Sequence, residues 1–206
     1  MSFHWCDNLH TAVFSPRDYQ VELLAAAFER NTMICLGHKS SKEFIALKLL
    51  QELGHKQRLL DNKIAIYLST SKAPAMFTML QHLTDLRVCQ EPSTTFDDLP
   101  RGFNVYILQP KTCLHLMREG VLKMEKVYLL VLDDCHQDTL FADMREIFSS
   151  FYKIEDLQDM PKVLGLAGPL HSAGCDLAEL SAMLNGLEKT VKCRTETASD
   201  IVTVLR

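Results

Sequence analysis

Apolar positions in this chain alternate between helical spacing and short unbroken runs. Tyr19, Leu23, Leu24 and Ala27 recur at helical intervals behind Ser15-Pro16-Arg17-Asp18. That opening reads as a helix start, with Ser15 as N-cap, Pro16 at the first helical position and Asp18 completing a capping box, and the helix is expected to reach about Arg30. Thr32 to Leu36 is a strand-length apolar run. Phe44, Ile45, Leu47, Leu49, Leu50 and Leu53 then mark one face of a helix that Gly54 would terminate. A strand over Lys63 to Ser69, a helix over roughly Ala73 to Thr84 and a short strand over Leu86 to Cys89 follow. A polar loop over Glu91 to Gly102 contains Pro92, Pro100 and Asp97-Asp98. Asn104 to Leu108 predicts a strand, Pro110 to about Gly120 a helix, and Lys126 to Leu132 the most apolar strand of all. Phe141, Met144, Ile147 and Phe148 mark the next helix. Pro161 to Gly165 leads into a final strand and turn at Leu166-Ala167-Gly168-Pro169, and a helix over Asp176 to Leu187 closes the domain.

Strands that are apolar on both faces, separated by amphipathic helices, predict an α/β domain with a mainly parallel central sheet and right-handed crossovers. The whole chain, 1–206, reads as one such domain, and its 47% hydrophobic content supports a sizeable core. Val202-Thr203-Val204-Leu205-Arg206 has no polar tail, which suggests a sequence cut from a longer chain.

Charge narrows the function classes. The net charge is -4, from 22 basic and 26 acidic residues, so there is no global footprint of a nucleic-acid binder and any RNA contact must come from a local patch. Seven cysteines without a C-x-x-C pair fit the reduced thiols of a cytosolic or nuclear protein, and a cytoplasmic location is expected. Cys135 and His136 are adjacent rather than helically spaced, so no metal site is expected. The N-terminus lacks the pattern of a secretory signal, and the longest strand-like apolar run, Val127 to Leu132, is far too short to span a membrane.

Candidate chemistry begins at Leu36-Gly37-His38-Lys39-Ser40-Ser41-Lys42-Glu43. A strand, tight loop and helix form the setting of a phosphate-binding loop, whose backbone amides and helix N-terminus create an anion site. Lys42 stands where the phosphate lysine would, but Ser41 replaces the preceding glycine and Glu43 the following hydroxyl residue. A carboxylate about 4 Å from a phosphate charge costs roughly 4 kcal/mol at an effective dielectric near 20. Asp133 and Asp134 end the most apolar strand, where parallel sheets bind ligands, although they could equally start a loop or cap the next helix. Tyr19 and Gln20 read as core plus surface.

Arg17-Asp18-Tyr19-Gln20, the Lys42 loop, Asp133-Asp134-Cys135-His136 and Leu164-Gly165-Leu166-Ala167-Gly168, in that order, resemble the motifs of the first RecA-like domain of a superfamily 2 helicase. Together they resemble the N-terminal helicase domain of the Dicer family, within it the insect branch that makes microRNAs. Asn31 to His38, Gly168 to Cys175 and Glu196 to Asp200 carry that narrower likeness. The resemblance implies a three-layer RecA-like P-loop fold. It matches Tyr19 and Gln20 to the adenine-contacting glutamine motif, Lys42 to the phosphate lysine and Asp133 to the magnesium aspartate.

Departures from the family pattern cluster at the same motifs. In A-x-x-G-x-G-K-T, Leu36 replaces the alanine, Lys39 and Ser41 the glycines, and Glu43 the threonine. Asp134 replaces the glutamate of D-E-C-H, which positions the attacking water, and a carboxylate misplaced by more than about 1 Å can cost about a hundredfold. Ala167-Gly168-Pro169 lacks both hydroxyls of the S/T-A-T/S motif. Tyr19, Gln20, Lys39, Ser41, Lys42 and Glu43 therefore read as a vestigial nucleotide site with no bound cofactor. ATP and magnesium binding is expected to be weak or lost, with Lys42 neutralised internally by Asp133 or Glu43.

The same resemblance sets the functional expectations. The chain would be a degenerate helicase-like domain of a ribonuclease III that contributes ATP-independent recognition of precursor microRNA hairpins and scaffolds its module. It would not cleave RNA itself, and magnesium would serve only the parent's ribonuclease III sites. Ser69, Thr70, Ser71 and Lys72, and Gln109, Pro110, Lys111 and Thr112, fall where helicases face RNA, and their hydroxyls and lysines suit phosphate contacts. Implied partners are hairpin or double-stranded RNA, the remaining domains of the parent chain and a double-stranded-RNA-binding protein. The alternative is a slow ATP-dependent helicase domain completed by a second RecA domain that supplies the missing groups.

Overall fold

The computed structural model describes residues 16–37, 40–60, 63–70, 73–91, 99–152, 160–170 and 176–199, without the side chains of 56–60 and 138–141. Six α-helices appear among the described residues: α1 Asp18–Glu29, α2 Lys42–Leu60, α3 Ala73–Leu83, α4 Pro110–Arg118, α5 Asp138–Ser150 and α6 Leu177–Val191. Seven strands, β1 Thr32–Cys35, β2 Ile64–Leu68, β3 Val88–Gln90, β4 Val105–Leu108, β5 Val127–Asp133, β6 Lys162–Ala167 and β7 Arg194–Glu196, form one sheet in the order β3-β4-β2-β5-β6-β1-β7. Every pairing is parallel. No helix among the described residues is long and apolar enough to cross a membrane.

Alternate strand residues feed two cores, one on each sheet face. Ile66, Leu130 and Leu132 pack with Cys113, Leu116, Met144 and Ile147 of α4 and α5. Tyr67, Leu129 and Val131 pack with Leu23, Ile45, Leu49 and Leu80 of α1, α2 and α3. The result is the three-layer arrangement of a RecA-like fold. β5 lies at the centre of the sheet and is buried along its whole length, which explains why its sequence shows no polar alternation.

Several boundaries differ from expectation. Helix α2 continues through Gly54 to Leu60. A Cβ on Gly54 would lie 2.9 Å from Leu86 Cδ2 and 3.0 Å from Tyr128 Oη, so this glycine permits a close helix-to-sheet approach rather than ending the helix. Helix α1 begins at Asp18 with Arg17 as its N-cap, so Asp18 is the first helical residue and not the closing member of a capping box, while Ser15 lies outside the described residues. A further strand follows the helix expected to close the domain. α6 runs to Val191, Lys192 turns the chain in the left-handed region (φ 55), and β7 pairs with β1 as an edge strand.

Candidate functional site

All seven strands run the same way, so the ends of β1, β2, β5 and β6 meet along one edge. Lys42 opens α2 there, and Asp133 closes β5 opposite Leu166. The loop between β1 and α2 is gripped from α1. Tyr19 donates its hydroxyl to Ser40 O at 2.5 Å, and Gln20 Nε2 donates to Ser41 O at 3.5 Å while its Oε1 accepts from Arg17 N at 3.0 Å. Gln20 is 2% exposed, which corrects its assignment to the surface, and both ends of its amide are engaged within the protein.

Ser41 adopts a left-handed backbone, φ 49, at the position where the active motif has glycine. The fold has kept the turn without the residue that makes it easiest, at a cost of about 1 kcal/mol. Asp134 also lies in this region, φ 48, which aspartate tolerates better than most residues. Helix α5 begins only at Asp138, so Asp133 ends the strand, Asp134 starts a turn, and neither caps that helix.

Lys42 is 2% exposed, and its Nζ is buried without a hydrogen-bond partner among the described residues. The expected internal ion pair is therefore not formed. Asp133 Oδ2 accepts instead from Ser69 Oγ at 3.1 Å, and the Glu43 carboxylate lies near enough to the buried Tyr67 phenol to help raise its pKa. The charges still shape the pocket. Burial first, then the negative charge of Asp133, raises the Tyr67 phenol well above its ordinary pKa. Burial pushes the Cys135 thiol up to about 12 against the opposing pull of Lys42.

The final motif is fastened to its neighbours through backbone atoms. Gly168 N donates to His136 Nδ1 at 3.2 Å, Cys135 N to Leu166 O at 3.2 Å, and Leu36 N to Ala167 O at 3.2 Å. The Ala167-Gly168-Pro169 segment offers no side-chain hydroxyl, so these bonds hold the strand end in place without a group that could follow a nucleotide. Lys42 is buried, both ends of the Gln20 amide are engaged, and a carboxylate, Glu43, stands where the resembled motif has its metal-holding hydroxyl.

The proposed RNA-facing residues separate into different environments. Ser69 is 2% exposed and bonded to Asp133, so it belongs to the interior. Thr112 gives its hydroxyl to Glu91 Oε1 at 2.5 Å, and Glu91 Oε2 accepts from Gln109 N at 2.6 Å. Thr70, Lys111 and the Gln109 side chain are exposed, whereas Lys39, Ser71 and Lys72 lie outside the described residues. Glu91 escaped the sequence reading because nothing local to the polar loop reveals that β3 and β4 are neighbours. It caps α4 from a distance. Glu91→Ala should lower stability by about 1–2 kcal/mol, and Glu91→Gln by less, as read by urea unfolding.

A phosphate-loop turn, a strand-end aspartate and a backbone-tethered third motif share one edge of an all-parallel sheet, and this convergence defines a first RecA-like domain of the superfamily 2 helicase type. No protein-family profile matches the chain. Over 215 residues and the whole chain it is 54% identical to "Endoribonuclease Dcr-1" of Drosophila melanogaster. Over 97% of its length it is 34% identical to "Endoribonuclease Dicer" of Danio rerio and 32% identical to that of Gallus gallus. The chain belongs to the Dicer family, corresponding to an N-terminal segment, and spans 10–11% of the length of these relatives.

Proposed function

We propose that this chain is a degenerate helicase domain of a Dicer ribonuclease, positioning precursor microRNA hairpins without nucleotide hydrolysis and scaffolding the parent's helicase module. The observation that carries this reading is the sealed Lys42. Its ammonium is buried while Tyr19 and Gln20 hold the loop carbonyls, so the group that would grip phosphate is inaccessible and the group that would read adenine is engaged. Thr70 and Lys111 are the exposed candidates for backbone contacts to RNA beside this edge. The remaining domains of the parent, and a double-stranded-RNA-binding protein in the cytoplasm, are its partners.

Calorimetry on the intact protein with magnesium-ATP should show no binding at micromolar concentration, and hairpin cleavage should proceed equally with and without ATP and in Lys42→Ala. Single-turnover hydrolysis abolished by Lys42→Ala would overturn the reading in favour of a slow ATPase. Charge reversal at Lys111 should weaken hairpin binding; unchanged binding would remove that residue from the RNA surface.

A further inference from the structure

In an all-parallel sheet the strand starts also share one edge, opposite the site described above. Crossing the sheet in spatial order, that edge carries Arg87 before β3, Arg101 in the turn before β4, Lys63 before β2, Lys126 before β5, Lys162 opening β6 and Lys192 before β7. Adjacent strands lie about 4.8 Å apart, so the row extends over about 30 Å. Arg87, Arg101, Lys126 and Lys192, with Lys123 beside Lys126, are exposed and make no ion pair among the described residues. Arg30 is different, being paired with Glu196. Glu29, Asp85, Glu119 and Glu125 are carboxylates at the same edge.

The concentration of cations matters because the chain as a whole is acidic, with a net charge of -4. The strand ends carry Glu43, Glu91, Asp133 and Asp134 beside Lys42 and Lys111, so among the described residues the denser row of exposed cations lies at the strand starts. We propose that the strand-start edge is a sequence-independent track for the phosphate backbone of double-stranded RNA, separate from the RNA surface beside Lys111. The reading that this domain handles RNA supplies the identity of the polyanion, and on that point the inference rests on it. An acidic protein fits less well. Protein interfaces need an apolar centre, and among the described residues Val121, 38% exposed, is the one exposed large hydrophobic at this edge. Binding a phosphate backbone needs only placed charge.

The test is fluorescence anisotropy of the intact protein with a labelled RNA duplex over a salt series, comparing wild type, the double variant Arg87→Glu/Lys126→Glu and Lys111→Glu. The double variant should bind about tenfold more weakly, with a log–log salt dependence shallower by about two, one for each phosphate that the protein no longer neutralises. Its melting temperature should not change, because both side chains are exposed; if it does, Lys123→Glu/Lys192→Glu repeats the measurement on the same row. Unchanged affinity and salt slope in a folded variant overturn the inference, whether or not the variant releases an acidic protein. Weakening by Lys111→Glu alone overturns it while the proposed function stands. Binding that is insensitive to the double variant and to Lys111→Glu alike overturns the inference and removes Lys111 from the RNA surface.

Discussion

Replacing Gly165 by valine should destabilise the domain by about 3 kcal/mol, lowering the melting temperature by about 6–12 °C for a chain of this size. Gly165 lies in β6, between β5 and β1, with no open space above it. A Cβ at this position would stand 3.1 Å from Met33 Cγ, 3.2 Å from Cys135 Sγ and 3.3 Å from Met33 Cβ, and valine adds two methyl groups beyond that atom. The strain would fall on the turn that carries the Asp133-Asp134-Cys135-His136 motif, because Cys135 N is bonded to Leu166 O one residue away. Met33→Ala removes the nearest obstruction. The double variant Met33→Ala/Gly165→Val should therefore lose less stability than the two single variants added together, which calorimetric melting can determine. Strict additivity would show that the crowding at Met33 is not the cause.

Asn31→Ala is the second large effect, expected to cost about 2–4 kcal/mol. This one side chain ties three strands together near their starts. Its Oδ1 accepts from Val163 N at 3.0 Å, and its Nδ2 donates to Tyr152 Oη at 2.9 Å and to Lys192 O at 3.3 Å, while its own carbonyl accepts from Arg194 N at 3.0 Å. Alanine keeps only the last of these and leaves the Val163 amide of β6 unmatched. Asn31→Asp retains the acceptor for Val163 N and removes the two donated bonds, so it should fall between wild type and alanine in urea unfolding. Equal stability for alanine and wild type would show that these bonds are replaced by water without cost. Tyr152, which also donates to Pro161 O at 3.1 Å, should become more accessible to solvent quenchers in the alanine variant.

Asn31 also illustrates where sequence reading loses sight of a residue. It belongs to a phrase that carries the family resemblance, yet its partners at 152, 163, 192 and 194 follow from the order of strands, which local pattern does not encode. β7 escapes recognition for a related reason: Arg194-Thr195-Glu196 is short, polar and half-exposed, as an edge strand can be, and only its pairing with β1 makes it a strand. Gly54 reads as a helix end because glycine commonly is one, whereas here the demand comes from Leu86 and Tyr128 on other elements. Longer and more apolar segments are plain. The run from Lys126 to Leu132 could hardly be anything except a strand covered on both faces, and it is β5.

By itself the sequence determined the alternation of strands and helices and the identity of the altered motif residues. Both are local: one follows from the spacing of apolar side chains, the other from which atoms a position possesses. Lys42 still carries an ammonium, Glu43 a carboxylate and Ala167 no hydroxyl in any fold. Tertiary structure alone decided what those groups meet. Asp133 turns to Ser69 rather than to Lys42, Gln20 is enclosed, Glu91 caps a helix, and the cations of six separate strand starts fall into one row. These outcomes depend on the spatial order of parallel strands, which brings together residues that are distant in the chain and which no local periodicity specifies.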